Sequence, residues 1–199
     1  MSQIAPGKDE SLPRVQYPRF AAFYEWFTRL RPVLSMTDPL RRETAGKAYG
    51  LVLEVGAGTG LNFPLYQPGQ VERVEAVEPD AAMLRYASRR LATARVPIML
   101  TQALVEALPF ADPVRGLREI KRVLKPGGTL LLLEHVRAQG ALAARVQDVL
   151  VPLTTRLFGN CHWNRDTARI VHDAGFQIVR LRQQGGGLQP VNVVQATAP

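Results

Sequence analysis

Apolar residues at Phe20, Phe23, Tyr24, Phe27 and Leu30 recur every three or four positions, the period of a single helix face. The spacing predicts a helix over 17–34, ended or bent by Pro32. Asp38-Pro39 then predicts a second helix start, running through Arg41, Arg42 and Glu43. From residue 50 the period changes. Short apolar runs at 51–55, 71–77, 96–101 and 129–136 predict strands, with helical patterns between them. Asp80 is placed to cap a helix whose buried face includes Met83, Leu84, Ala87 and Leu91. Asp112-Pro113 starts another, with Val114, Leu117, Ile120 and Leu124 at helical spacing, and Lys125-Pro126-Gly127-Gly128 stops it. A long helix over 141–158 carries Pro152 inside, and Asn164 is the expected cap of a last helix, with Gly175 just past its end. Runs at 177–182 and 191–197 flank Gly185-Gly186-Gly187 and predict a terminal antiparallel pair.

Strands alternating with helices argue for an α/β fold, a Rossmann-like doubly wound and mainly parallel sheet closed by a C-terminal antiparallel strand. Residues 1–16, with Pro6, Gly7 and Pro13, are expected to form a mobile tail. Residues 17–48 form an N-terminal helical cap and 49–199 the ligand-binding domain. In such a sheet ligands bind beyond the carboxyl ends of the strands, which directs attention to the first strand.

Composition narrows the chemistry. At 199 residues, 46% of them hydrophobic, the chain has the length of one ordinary domain and enough apolar material for a core. One cysteine excludes a disulfide framework, and three histidines (135, 162, 172) give no metal-ligand spacing, so no metal is expected. No apolar run approaches the ~20 residues of a membrane span. Met1 to Glu10 lack the basic and apolar stretches of a secretory leader, so a cytoplasmic protein is expected. The net charge of +8 comes from 25 Lys+Arg against 17 Asp+Glu, spread without a block of five like charges. That distribution argues against a nucleic-acid partner and allows a weak peripheral contact with anionic lipid.

The first strand ends in Leu53-Glu54-Val55-Gly56-Ala57-Gly58-Thr59-Gly60-Leu61. Glycines at alternate positions let backbone approach a ligand without Cβ clashes. A dinucleotide fingerprint would need its third glycine at 61, where Leu61 stands, and no Gly-Lys-Ser/Thr follows for a phosphate loop. The second strand ends in Val77-Glu78-Pro79-Asp80, and an acid there can accept hydrogen bonds from a ribose diol. LVLEVGAGTG followed by VEAVEPD resembles the class I S-adenosylmethionine-dependent methyltransferases. EALPF and REIKRVLKPGGTLLLLEHVRA are similar to the branch of quinone C-methyltransferases. GLNFPLY, GNCHWNRDT and DAGF resemble a subgroup with lipid- and thiol-methylating enzymes. The resemblance covers about residues 40–199. It implies S-adenosylmethionine as donor, held by Glu54, Gly56, Ala57, Gly58, Thr59, Gly60 and Asn62 at the methionine end. Glu78 would take the ribose, Pro79 and Asp80 the adenosine edge, and Leu104, Val105 and Glu106 the adenine. Phe63 matches the subgroup's turn beside Asn62.

The chain departs from the family pattern twice. Leu104 replaces an acid that reaches the adenine amino group. Phe110-Ala111 passes directly to Asp112-Pro113, so one central strand with its loops is missing. Six strands are therefore expected instead of seven, in the order third, second, first, fourth, sixth, fifth. On the acceptor side, Glu134 and His135 end the fourth strand, and His135 is the candidate catalytic or acceptor-positioning residue. Cys161 beside His162 does not suggest a nucleophile and base, and Trp163 is a candidate acceptor cover or core residue. The expected function is methyl transfer to a small, apolar or lipid-like acceptor: a thiol, quinol, amine or lipid headgroup. The alternative is a degenerate, non-catalytic protein of the same fold.

Overall fold

The computed structural model of the chain describes residues 16–103, 112–157 and 162–199. The described residues up to 103 belong to one compact unit and those from 112 onwards to another.

The first unit opens with helix α1 (Pro18–Phe27) and helix α2 (Arg31–Glu43). Pro32 does not end the first helix but sits in the first turn of the second, where its missing N–H costs nothing. Asp38-Pro39 is not a helix start either: α2 runs through Pro39. The Thr37 hydroxyl donates to the Val33 carbonyl at 2.9 Å, one turn back along this stretch. The predicted aromatic face divides in two. Ala21 is buried with Ala82 and Met83, with Phe20 and Tyr24 packed beside them, whereas Phe23, Trp26 and Phe27 form an exposed ring cluster.

Strands β1 (Gly50–Val55), β2 (Val71–Glu78) and β3 (Ile98–Gln102) form a parallel sheet in the order β1-β2-β3. Helix α3 (Ala81–Arg90) follows β2 and is capped by Asp80, whose Oδ1 accepts the Ala82 N–H at 2.6 Å. β3 starts at Ile98 rather than 96 because Pro97 has no N–H to give the ladder; its carbonyl accepts the Val74 N–H at 2.9 Å. The register pairs Val55 with Val77 and Glu78 with Gln102, so the three strands end together.

The second unit contains α4 (Pro113–Val123), β4 (Thr129–His135), α5 (Ala141–Leu157), α6 (Thr167–Asp173), β5 (Gln177–Gln184) and β6 (Val191–Thr197). β6 lies between β4 and β5 and is antiparallel to both. Leu117, Leu130, Val171, Phe176, Val194 and Ala196 form its core. α4 starts at the Asp112-Pro113 pair as predicted, and Asp112 caps it, accepting the Val114 and Arg115 N–H groups. Asn164 does not cap α6. Asp166 does, through the Arg169 N–H, and the Asn164 amide instead donates to Asp148 Oδ1 at 3.0 Å.

Six strands are described, and within each sheet the neighbours are those predicted. The strands make two three-stranded sheets, and the predicted ladder between the first and fourth strands is not found among the described residues. The register of β4 is set along its whole length by seven antiparallel pairs with β6. Among the described residues β1 pairs with β2 alone, and its Leu51, Leu53 and Val55 are exposed.

Candidate functional site: the glycine turn of the first unit

Register places the carboxyl ends of β1 and β2 side by side, and the chain uses that proximity at once. After Val55 both the Gly56 and Ala57 N–H groups donate to the Val77 carbonyl, at 2.9 and 3.1 Å. The turn then closes on itself through Gly60 N–H to the Ala57 carbonyl. Gly56, Gly58 and Gly60 all have positive φ (73°, 59° and 78°), which side chains with a Cβ rarely adopt.

The three glycines nevertheless serve different ends. A Cβ on Gly56 would meet nothing within 4 Å, and one on Gly58 only the Gly56 carbonyl at 4.0 Å. A Cβ on Gly60 would lie 2.7 Å from the Phe63 ring and 3.2 Å from the Ala87 backbone. Gly60 is thus a packing glycine between buried Phe63 and α3, whereas Gly56 and Gly58 border open space.

Glu78 is buried, and the main chain holds both carboxylate oxygens. Oε2 accepts the Gly58 N–H at 2.8 Å and Oε1 the Asp80 N–H at 2.9 Å. Burial raises its pKa above the ordinary carboxylate value, while these two backbone bonds pull it down. The glycine turn and the β2 end are thereby tied through one side chain. Each carboxylate oxygen retains a lone pair for a further donor. Pro79 connects the two anchors, and its carbonyl accepts from Gln102 Nε2 at 3.1 Å.

Glu54 faces a different balance. Its Oε1 accepts the Asn62 amide at 2.8 Å, while Oε2 is buried with no hydrogen-bond partner among the described residues. Arg41 Nη1 donates to the Asn62 oxygen at 3.2 Å, completing a chain Arg41–Asn62–Glu54. Burial pushes the Glu54 pKa up, with the Asn62 hydrogen bond, Tyr66 and the more distant Arg41 charge opposing it. The same carboxylate, added to burial, holds the Tyr66 phenol above its ordinary range. Thr59 is also buried, with Oγ1 unpartnered among the described residues.

The fold therefore brings Glu54, Gly56, Ala57, Gly58, Thr59, Gly60, Asn62, Glu78, Pro79 and Asp80 into one neighbourhood. Leu104, Val105, Glu106 and Cys161 lie outside the described residues. Arg41, Tyr66 and Arg90 were missed by sequence reasoning. Arg90 donates to the Thr59 carbonyl, yet in sequence it is an ordinary cation in the last turn of a helix.

The second unit holds the acceptor-side candidates. His135 ends β4 opposite Val191, and its ring makes no hydrogen bond among the described residues. Desolvation lowers its pKa, although the residue keeps exposed surface; that exposure leaves it free to meet another molecule. Glu134 Oε2 accepts from the Thr167 hydroxyl at 3.4 Å. Trp163 Nε1 is buried without a partner among the described residues. Sequence reasoning also missed Gln147, fully buried on α5. It accepts the Ala138 N–H at 2.8 Å and donates toward the Val136, Trp163 and Leu188 carbonyls at 3.0, 2.9 and 3.1 Å. Its only signal was a polar residue three positions after buried Ala144. Among the described residues no group of three or more His, Cys, Asp and Glu is arranged to hold a metal, and no helix is long and apolar enough to cross a membrane.

The model of a methyltransferase domain matches residues 27–181. The chain belongs to that family, as a class I S-adenosylmethionine-dependent methyltransferase. It is 30% identical over 154 residues to the thiol S-methyltransferase TMT1B of Rattus norvegicus, covering 67% of this chain and 62% of that protein. The chain thus spans about three-fifths of that relative's length. It is 34% identical over 164 residues to the ubiquinone/menaquinone biosynthesis C-methyltransferase UbiE of Syntrophotalea carbinolica, covering 70% of this chain and 66% of that one. Among solved structures, the N-methyltransferase NodS of Bradyrhizobium japonicum, in complex with S-adenosyl-L-homocysteine, matches with a TM-score of 0.62 at 13% identity, covering 92% of this chain and all of that one. The [4+2]-cyclase SpnF matches with a TM-score of 0.60 at 16% identity, covering 84% and 81%. At such identities the likeness shows the Rossmann-like fold alone.

Proposed function

We propose that the chain transfers a methyl group from S-adenosylmethionine to a small apolar or lipid-like acceptor, with the donor bound across the glycine turn of the first unit. The observation that carries this reading is Glu78: a buried carboxylate at the end of β2, aimed by the Gly58 and Asp80 N–H groups and retaining acceptor capacity on both oxygens. A ribose diol fits that capacity. The unpartnered, buried Glu54 Oε2 fits the donor's ammonium group, which would supply the missing hydrogen bond and countercharge. Gly56 and Gly58, with no side chain over the turn and open space before them, admit the amino-acid portion close to the backbone.

S-adenosylmethionine supplies a methyl group already activated on a sulfonium. The protein's task is to align it with the acceptor and exclude water. Glu78 fixes the ribose end and Glu54 the methionine end, so the two carboxylates set the donor's direction. A base is needed only where the acceptor must lose a proton, and His135 is proposed for that role or for acceptor positioning. Similarity to thiol and quinone C-methyltransferases supports a thiol or quinol acceptor. The exposed Phe23, Trp26 and Phe27, with Arg19, Arg29 and Arg31 exposed around them, support a weak contact with an anionic lipid surface.

A second reading, a member that binds donor weakly or not at all and does not turn over, is favoured by one observation. Among the described residues β1 pairs with β2 alone, and its Leu51, Leu53 and Val55 are exposed. Transfer of tritiated methyl from S-adenosylmethionine to a panel of thiols, quinols, amines and lipids separates the two. Label in a thiol or quinol is expected. No transfer to any acceptor contradicts the proposal and favours the second reading.

A further inference from the structure

Helix α1 is tied at its start to the turn between β2 and α3, and near its end, through Arg90, to the glycine turn. At its start, the Tyr17 N–H donates to Asp80 Oδ2 at 3.1 Å, while the other oxygen of Asp80 caps α3. Near its end, Glu25 is 6% exposed and is gripped by Arg90, the last residue of α3. Arg90 Nη2 donates to Glu25 Oε1 at 2.8 Å, and Nη1 lies 2.8 Å from Oε2. The same Nη1 donates to the carbonyl of Thr59, between the glycines Gly58 and Gly60. Arg29 adds a second cation to Glu25 at 2.6 Å.

This arrangement exceeds what packing requires. Ala21 already seats α1 on Ala82 and Met83 without any charge. A buried ion pair adds little net stability over an apolar contact, because both charges must leave water. It does add direction. Arg90's planar fork spans a carboxylate and a backbone carbonyl at once, a geometry that lysine's single ammonium cannot reproduce. The carbonyl it takes belongs to a turn of three positive-φ glycines whose N–H groups are already held by Val77, Glu78 and Ala57, and Arg90 adds a restraint on the Thr59 carbonyl between them.

We infer that Glu25 and Arg90 are positioning residues for the donor: the pair holds the Thr59 carbonyl, fixes the glycine turn in its binding shape, and so couples the order of α1 to donor occupancy. This inference rests on the donor lying at the glycine turn. Coupling is reciprocal, so a ligand that orders the turn must also steady α1, and loosening α1 must weaken the ligand.

The test uses the full chain, S-adenosylhomocysteine as probe, and two readouts. Calorimetry gives donor-site affinity, and hydrogen exchange of the amides of residues 21–28 reports α1. In the unaltered protein the ligand is expected to slow exchange in α1. Arg90→Met is expected to bind roughly tenfold more weakly and to lose that ligand-induced slowing. Arg90→Lys, which keeps the charge on Glu25 but not the fork, should recover only part of each. Should Arg90→Met fail to fold, Glu25→Gln is read instead, with affinity reduced roughly threefold and the slowing again lost. A merely structural pair would lower the melting temperature of both variants and leave affinity per folded molecule and ligand-induced slowing unchanged. That result, or α1 exchange indifferent to ligand in the unaltered protein, overturns the inference. Retained affinity in Gly58→Val would instead sink the placement of the donor itself, so the two failures are distinguishable.

Discussion

The turn after β1 and the loop after β4 both leave the carboxyl end of a strand, and a single buried polar side chain organises each. In the first unit that side chain is Glu78, a carboxylate held by two backbone N–H groups. Near it stand Glu54 Oε2, buried without a partner, and three glycines with positive φ. In the second unit it is Gln147, an uncharged amide whose oxygen accepts one N–H and whose nitrogen serves three carbonyls. The amide hydrogens of Gln147 are spent on main-chain carbonyls, and it carries no charge. The contrast separates two uses of buried polarity. A saturated neutral network specifies a scaffold, while a charged network with spare acceptor capacity awaits a donor of hydrogen bonds.

The largest effect should come from Gly58→Val. A β-branched side chain at φ 59° strains the turn and occupies its open face, so S-adenosylhomocysteine binding should vanish in calorimetry at millimolar ligand. Retained affinity would dissolve the distinction between the two connections. Gln147→Leu attacks the other side. It strands the Ala138 N–H and leaves the carbonyls without their donor, costing about 2–4 kcal/mol in urea unfolding while donor affinity per folded molecule stays the same. Loss of affinity with intact stability would reverse the assigned roles. Glu78→Ala should weaken donor binding by roughly 1–3 kcal/mol through the lost charge-assisted bonds.

The smallest effect is the most particular. Glu54 has its pKa raised by burial, so its ionisation works against folding. The native state suffers no such penalty below the ordinary carboxylate range, and loses stability as pH rises through the raised value. Glu54→Gln should therefore be more stable to urea than the unaltered protein at pH 8, a gain that disappears as the pH falls below the ordinary carboxylate range. The same variant should bind donor less well. A gain independent of pH would show that the carboxylate charge is not what the site holds in reserve.

Much of this was legible along the chain because its signals are local. The caps at Asp80 and Asp112, the αL glycine at 175 and the alternation of strands and helices each depend on a few adjacent residues. So does the grouping of the glycine turn with Glu78, because two adjacent parallel strands bring their ends together. What escaped were bonds across long stretches of sequence. Arg90 to Thr59, Glu25 to Arg90 and Gln147 to Leu188 leave no periodic trace. The missing strand was visible, but not its consequence. β4 pairs with β6 as expected, while no ladder to β1 is found among the described residues. Pro32 and Pro39 misled because proline marks a first turn as readily as an end, and one lost helix bond is tolerable inside α2.

The most direct measurement is a crystal structure of the protein with S-adenosylhomocysteine. The account predicts the ribose diol within hydrogen-bond distance of the Glu78 carboxylate, with the Gly58 N–H still bound to it and the ligand's ammonium on Glu54 Oε2. Ligand density away from the glycine turn, or a ligand on the turn that leaves both carboxylates untouched, would contradict it.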